Sequence, residues 1–145
     1  MATRSRIGIQ NEDGSVTSVY CHWDGYPEHN GDILVNHYKE REKVQKLIGL
    51  GSISSLAPEI DAPEGHSFEN PVPGVTVAYY RDRGENFNQR QNISPENFFV
   101  SDIEEYGYLY TLEGEWLVKS GYYGSKKVEP QKLASILSGF ELLIS

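Results

Sequence analysis

Cysteine is nearly absent from this 145-residue chain: Cys21 stands alone. One thiol can neither close an internal disulfide nor build a multi-cysteine zinc site, and its solitude suits a reducing compartment. No stretch reaches the roughly 18 consecutive apolar residues needed to cross a bilayer. The opening "MATRSRIGIQ" is too short and polar for a secretory signal, so a cytoplasmic location without a membrane partner is expected. Positive charge is also scarce. Thirteen basic residues face 21 acidic ones, a formal net charge of −8, which disfavours loose binding to duplex nucleic acid. The acidic residues form no long run and are interleaved with Lys and Arg, the pattern of a solvated surface. Mimicry of nucleic acid by that surface is the competing interpretation. There is no Gly-x-Ser-x-Gly elbow, and "GLGSIS" follows a predicted helix where a phosphate loop must precede one.

Tyrosine is what the chain has in excess. Ten tyrosines accompany two tryptophans and five phenylalanines. A flat ring with a hydrogen-bonding tip suits half-wet surfaces such as pockets and interfaces. The composition therefore points to binding before catalysis.

Along the chain, residues 5–23 read as a β-hairpin turning at Asp13-Gly14, with Ile7 and Ile9 on one face. "DGYPEHNG" reads as a loop, and "DILVNHYK" as a short helix capped by Asn30 or Asp32. Val44, Leu47 and Ile48 give a second helix its inward stripe, ended by Gly51. Residues 52–74 hold four prolines and read as a long ordered loop. "GVTVAYYRDRG" reads as a strand. "SPENFFVSDIEEY" begins a helix at Ser94-Pro95, and residues 106–124 read as a second hairpin turning at Glu113-Gly114. A last amphipathic helix opens at Pro130 and buries Leu133, Ile136, Leu137 and Phe140. The expectation is a single α+β domain over 1–145. Its sheet is mostly antiparallel, two hairpins plus one further strand, with three or four helices packed mainly on one face.

Each candidate chemistry competes with a structural role. His22, Asp24, His29 and His37 lie close in sequence but match no ligand spacing, so no metal is expected. Cys21 and His22 point to opposite faces of one strand, which disqualifies them as nucleophile and base. His22 with His66 is the remaining hydrolytic option, a two-histidine phosphodiesterase site, although neither sits in an His-x-Thr or His-x-Ser strand motif. The non-catalytic option is a set of cations beside rings. Arg4, Arg6, Arg81 and Arg83 are expected to grip phosphate through bidentate forks. Trp23, Tyr26, Tyr79 and Tyr80 are expected to stack a base, at about 1–3 kcal/mol per ring. His22 and Asp24, within "YCHWDGYP", would contact ribose or amide groups. No cofactor is implied.

The runs "TRSRIGIQNEDGSVTSVYCHWDGYP", "LVNHYKEREKVQKLIGLGSISSL", "YYRDRGE" and "EYGYLYTLEGEW", in that order, resemble small proteins that recur in tailed-phage and prophage genomes. The resemblance brings no catalytic residue with it. It implies a counter-defence factor, and one activity in that class is the sponge, which folds around a nucleotide-derived immune signal without cleaving it. The expectation is thus a non-enzymatic protein of the host cytoplasm that sequesters an anionic nucleotide-derived molecule, with homo-oligomers forming through exposed tyrosines. Two alternatives stand beside it: an acidic inhibitor of a host defence or nucleic-acid-processing protein, and a phosphodiesterase that degrades a cyclic nucleotide.

Overall fold

A computed structural model describes residues 3–99, 105–120 and 130–137. Strands β1 (Ser5–Gln10) and β2 (Val16–Cys21) form the first hairpin, and β6 (Tyr106–Tyr110) with β7 (Trp116–Ser120) form the second. The two hairpins use the same turn. In the first, Asn11 N–H donates to Ser15 O at 2.7 Å and Gly14 N–H to Asn11 O at 2.8 Å; in the second, Thr111 N–H donates to Glu115 O at 2.9 Å and Gly114 N–H to Thr111 O at 3.0 Å. Gly14 and Gly114 have φ of +89° and +83°, a left-handed geometry that glycine alone adopts at little cost.

β1 and β6 pair in parallel and join the hairpins, with Ile7 opposite Tyr108. The sheet extends through β3 (Ile53–Ser55) and β4 (Val77–Ala78) on one side and β8 (Gln131–Lys132) on the other. The free edge of β2 is shared: β5 (Arg90–Ile93) pairs near Val16 and Ser18, and β3 pairs at Cys21. Among the described residues the result is an eight-stranded mixed sheet, mostly antiparallel, in an α+β fold.

Helices α1 (Asp32–His37) and α2 (Arg41–Ile48) cover the front of the sheet. Leu34, Tyr38, Val44, Leu47 and Leu133 pack there against Ile7, Val19, Cys21, Tyr108 and Val118. Leu133 belongs to helical residues 133–137. On the back, α4 (Pro95–Phe98) brings Phe98 and Phe99 onto Val16 and Leu109. Gly8 makes that approach possible, since a Cβ there would stand 2.8 Å from Val16 Cγ1 and 2.9 Å from the Phe98 ring.

Several local expectations need correction. Only Val77–Ala78 of "GVTVAYYRDRG" is strand, and Tyr79–Arg83 form the short helix α3. The Asp82 carboxylate reaches back to accept the Ala78 N–H at 2.8 Å, closing a helical turn, and Gly84 ends it at φ +71°. "PEHNG" is a single π-turn rather than loop, and α1 has Gly31 at its cap without a side-chain bond. Asn30 turns inward instead, fully buried, donating to Trp23 O at 3.3 Å. The stretch 52–74 contains β3, and Glu59 bridges to Val75. Residues 131–132 pair with β7 before any helix begins. Ser94 caps α4 as expected, accepting the Asn97 N–H at 3.2 Å. Phe140, the expected helix beyond Phe99 through 100–104, and the end of the expected second hairpin at 121–124 lie outside the described residues.

The tyrosine excess is partly core. Tyr38 and Tyr108 are fully buried and Tyr110 nearly so. Each hydroxyl is bound by a carbonyl: Ala57 O at 2.7 Å, Gly25 O at 2.6 Å and Lys39 O at 2.8 Å. A buried ring with a satisfied tip costs nothing in lost hydrogen bonds.

Candidate functional site

Alternation along β1 and β2 sends Arg6 and Tyr20 to the back of the sheet as cross-strand partners, and β6–β7 add Gly107 and Lys119 to the same row. Arg4 lies just ahead of β1. Arg4's backbone is tied down on both sides, with its N–H on Glu105 Oε2 at 2.6 Å and its carbonyl accepting the Glu105 N–H at 2.9 Å. His22 follows Tyr20 on this side, its Nδ1 2.7 Å from the Tyr20 hydroxyl. Arg6, Lys119, Tyr20 and His22 thus gather on one face of a protein that is acidic as a whole.

Arg6 is only 5% exposed. Its Nε donates to Ser18 Oγ at 2.9 Å and one terminal nitrogen to Ser18 O at 3.3 Å. Lys119, equally enclosed, donates to the carbonyl of Phe99 at 2.8 Å. Beside Arg6 a cleft of about 130 Å³ opens between Ser18, Arg90, Ile93, Asn97 and Phe98. Arg90 reaches it from the exposed strand β5 and Asn97 from α4. Two guanidinium groups, a hydroxyl and an amide around a small hollow form a donor-rich setting for an oxyanion. Neither Arg90 nor Asn97 was expected from the sequence. The left-handed Asn92 (φ +58°) and the shifted pairing of β5 with β2 place Arg90 there, and only the pairing reveals it.

"YCHWDGYP" is first a pinned turn. Gly25 donates to Thr3 O at 2.8 Å, and a Cβ on it would meet that oxygen at 2.8 Å. Asp24 takes a left-handed conformation at φ +56°. Cys21 is buried, and desolvation pushes its thiol up to about 12, far from the reactive thiolate range. The outer side of the turn is aromatic: Trp23 and Tyr26 are exposed, His22 meets the Trp23 ring edge-on at 4.6 Å, and Tyr26 leans toward Asp24 Oδ1 at 3.4 Å. Of these four, His22 is the one tied to the cationic face, through the Tyr20 hydroxyl, with Trp23 packed on its ring; Tyr26 leans instead toward His29, ahead of α1.

The other four expected residues sit elsewhere, on α3. Arg83 lies over Phe68 at 4.2 Å and Tyr79 at 5.2 Å, and pairs with Glu85. Tyr80 is exposed and contacts Phe87. Arg81, expected to grip phosphate, faces inward. It donates to Thr76 O at 2.7 Å, to Ile60 O, and to both carboxylate oxygens of Asp82 at 2.9 and 3.0 Å. Its Nε and both terminal nitrogens are thus engaged by the fold.

Asp82 also receives the Nε2–H of His66 at 3.2 Å, while His66 Nδ1 accepts the Val72 N–H at 3.0 Å. The His66 side chain has no exposure. Both ring nitrogens are occupied, so His66 has none to offer a substrate; it fastens the loop to α3. Among the described residues no group of three or more His, Cys, Asp or Glu is placed to hold a metal ion, and no helix is long and apolar enough to cross a membrane.

Comparison with protein-family models, with curated proteins and with solved structures finds no match to this chain.

Proposed function

We propose that this chain is a non-enzymatic binding protein that captures an anionic, nucleotide-derived small molecule, in the manner of a phage-encoded sponge acting in the host cytoplasm. One observation supports it above the others: Arg6, Arg90, Asn97 and Ser18 converge on a small hollow at the back of the sheet. From Ser18 to His22 along β2 is about 13 Å at the usual strand rise, the reach of a phosphate joined to a nucleoside. Phosphate then lies between Arg6 and Arg90, and a base lies toward His22 and Trp23, where the exposed indole offers a stacking surface. A spent His66 and a protonated, buried Cys21 leave the bound molecule without an obvious attacking group. Exposed Tyr80 and Phe87 suit a contact between copies of the chain.

The test is retention. The protein is incubated with candidate cyclic nucleotides and ADP-ribose derivatives, freed of unbound material, heat-denatured, and the released molecule is identified by mass. Release of an intact nucleotide, lost in Arg90→Ala, is the expected result. Release of a cleaved product replaces capture with hydrolysis. No retention of any nucleotide by a folded protein removes the proposal.

A further inference from the structure

The front of the molecule holds a second hollow, larger than the first and built differently. About 380 Å³ in volume, it lies between α1, the end of the β6–β7 hairpin, β8 and the helical residues 133–137. That is within the size range of small-molecule sites. Val35, Trp116 and Ala134 give it an apolar wall, and Lys39, Lys132 and Glu115 stand around it.

The wall is rigid. Trp116 Nε1–H donates to Tyr38 O at 2.9 Å, and its ring meets Tyr110 edge-on at 5.2 Å. Tyr110 in turn holds the backbone of Lys39 through its carbonyl at 2.8 Å. One flat aromatic face and the carrier of one ammonium group are thus fixed relative to each other. Lys132 approaches Glu115 at 3.7 Å, and both side chains are more than half exposed, so that pair is weakened by solvent. Lys39 has no ion pair among the described residues. The charge left beside the apolar wall is positive.

We infer that this cavity binds a small amphipathic anion, a flat apolar body with one carboxylate or similar group, the body against Trp116 and the anionic end on Lys39. It is independent of the nucleotide proposal, because Trp116 belongs to the row of side chains that turns to the front of the sheet.

The probe is 1-naphthoate, with 1-naphthylmethylamine as the cation of matching shape, read by the two indole N–H resonances in a nitrogen–proton correlation spectrum. Trp23→Phe assigns them, since the chain has two tryptophans. The expected result is a saturable shift of the Trp116 resonance with naphthoate, none with the amine, and no shift of Trp23. Lys39→Glu weakens the apparent affinity about three- to tenfold. Ala134→Phe, at an exposed helical position, fills the cavity and abolishes the shift. An unmoved Trp116 resonance, an equal response to the amine, or an affinity untouched by Lys39→Glu overturns the inference. Lys39 is exposed, so that last comparison holds even where Ala134→Phe disturbs folding.

Discussion

The same four strands present two unlike faces. Turned forward, one row reads Val19, Ile7, Tyr108 and Val118, all at most 1% exposed, beneath α1 and α2. Turned back, the adjacent row reads Tyr20, Arg6, Gly107 and Lys119. A sheet residue turns to the main core or to the cationic back face according to its parity in the strand. If the back face binds as proposed, stability and recognition are separable by one-residue steps along β1, and this can be tested.

The largest expected effect is on the front. Ile7→Ala removes a fully buried side chain and leaves a cavity, at a cost of about 2–5 kcal/mol. Urea unfolding measures it. The protein that remains folded should still retain ligand on its back face, and a loss of affinity matching the loss of stability would show that the two faces are not separable.

Arg81→Ala comes next. It takes the Arg81 donors from the Thr76 and Ile60 carbonyls and leaves the Asp82 carboxylate only the Ala78 N–H and His66, at about 2 kcal/mol or more. Its melting temperature should fall while nucleotide retention stays at wild-type levels. An unchanged melting temperature with lost retention would return Arg81 to the binding residues.

The pH dependence separates the regions further. On the front, burial pushes Cys21 and Tyr38 up to about 12 and Tyr108 well above the ordinary value. Raised acids favour the protonated folded form. Their contribution is full below the unfolded values, near 9 for the thiol and 10 for the phenols, and is lost as pH climbs toward 12. At the α3 clamp the sign reverses. Burial pushes Asp82 up, but hydrogen bonds from Arg81, the Ala78 N–H and His66 outweigh it and hold the carboxyl below 3.8. That contribution is present above 3.8 and disappears as acid drives pH through the lower folded value. Urea midpoints across pH should show Cys21→Ala flattening the alkaline decline alone and Asp82→Asn flattening the acid decline alone. An alkaline slope unaffected by Cys21→Ala would mean that the thiol is not desolvated.

What the sequence made legible follows from the range of the interaction that decides each feature. Asp13-Gly14 and Glu113-Gly114 announced both hairpins because a turn is decided within five residues. Val44, Leu47 and Ile48 announced α2 by spacing, and parity alone separated Cys21 from His22. The parallel pairing of β1 with β6 joins residues about a hundred positions apart, and no local pattern encodes it. α3 was misread because the β-branched and aromatic run Val75–Tyr80 favours strands, while its helical turn is set by the Asp82 side chain on the Ala78 N–H and by the left-handed Gly84. The candidate site follows the same rule. Whether Tyr20 or His22 joins Arg6 on its face depended on the β1–β2 register, which the sequence leaves open and the pairing supplies, and Arg90 arrives from a strand whose pairing the sequence does not state. Arg81 and Arg83 look alike in sequence, yet one is tied into the fold and the other lies across two rings.

The smallest effect on stability should accompany the largest on recognition. Arg90 is exposed on an edge strand, so Arg90→Ala should change the unfolding free energy by no more than about 0.5 kcal/mol. Its guanidinium is nonetheless one of two that line the hollow beside Ser18 and Asn97. A charged bond to phosphate contributes about 1.5–3 kcal/mol, so its loss should weaken nucleotide binding by roughly tenfold or more. Calorimetric titration measures the affinity and urea unfolding the stability, on the same preparation. Arg90→Lys separates charge from geometry: a point charge restores part of the affinity, and full affinity requires the fork. Equal affinities for Arg90→Ala and wild type would place the phosphate elsewhere and leave the back face a second packing surface, distinguished from the front only by its buried cations.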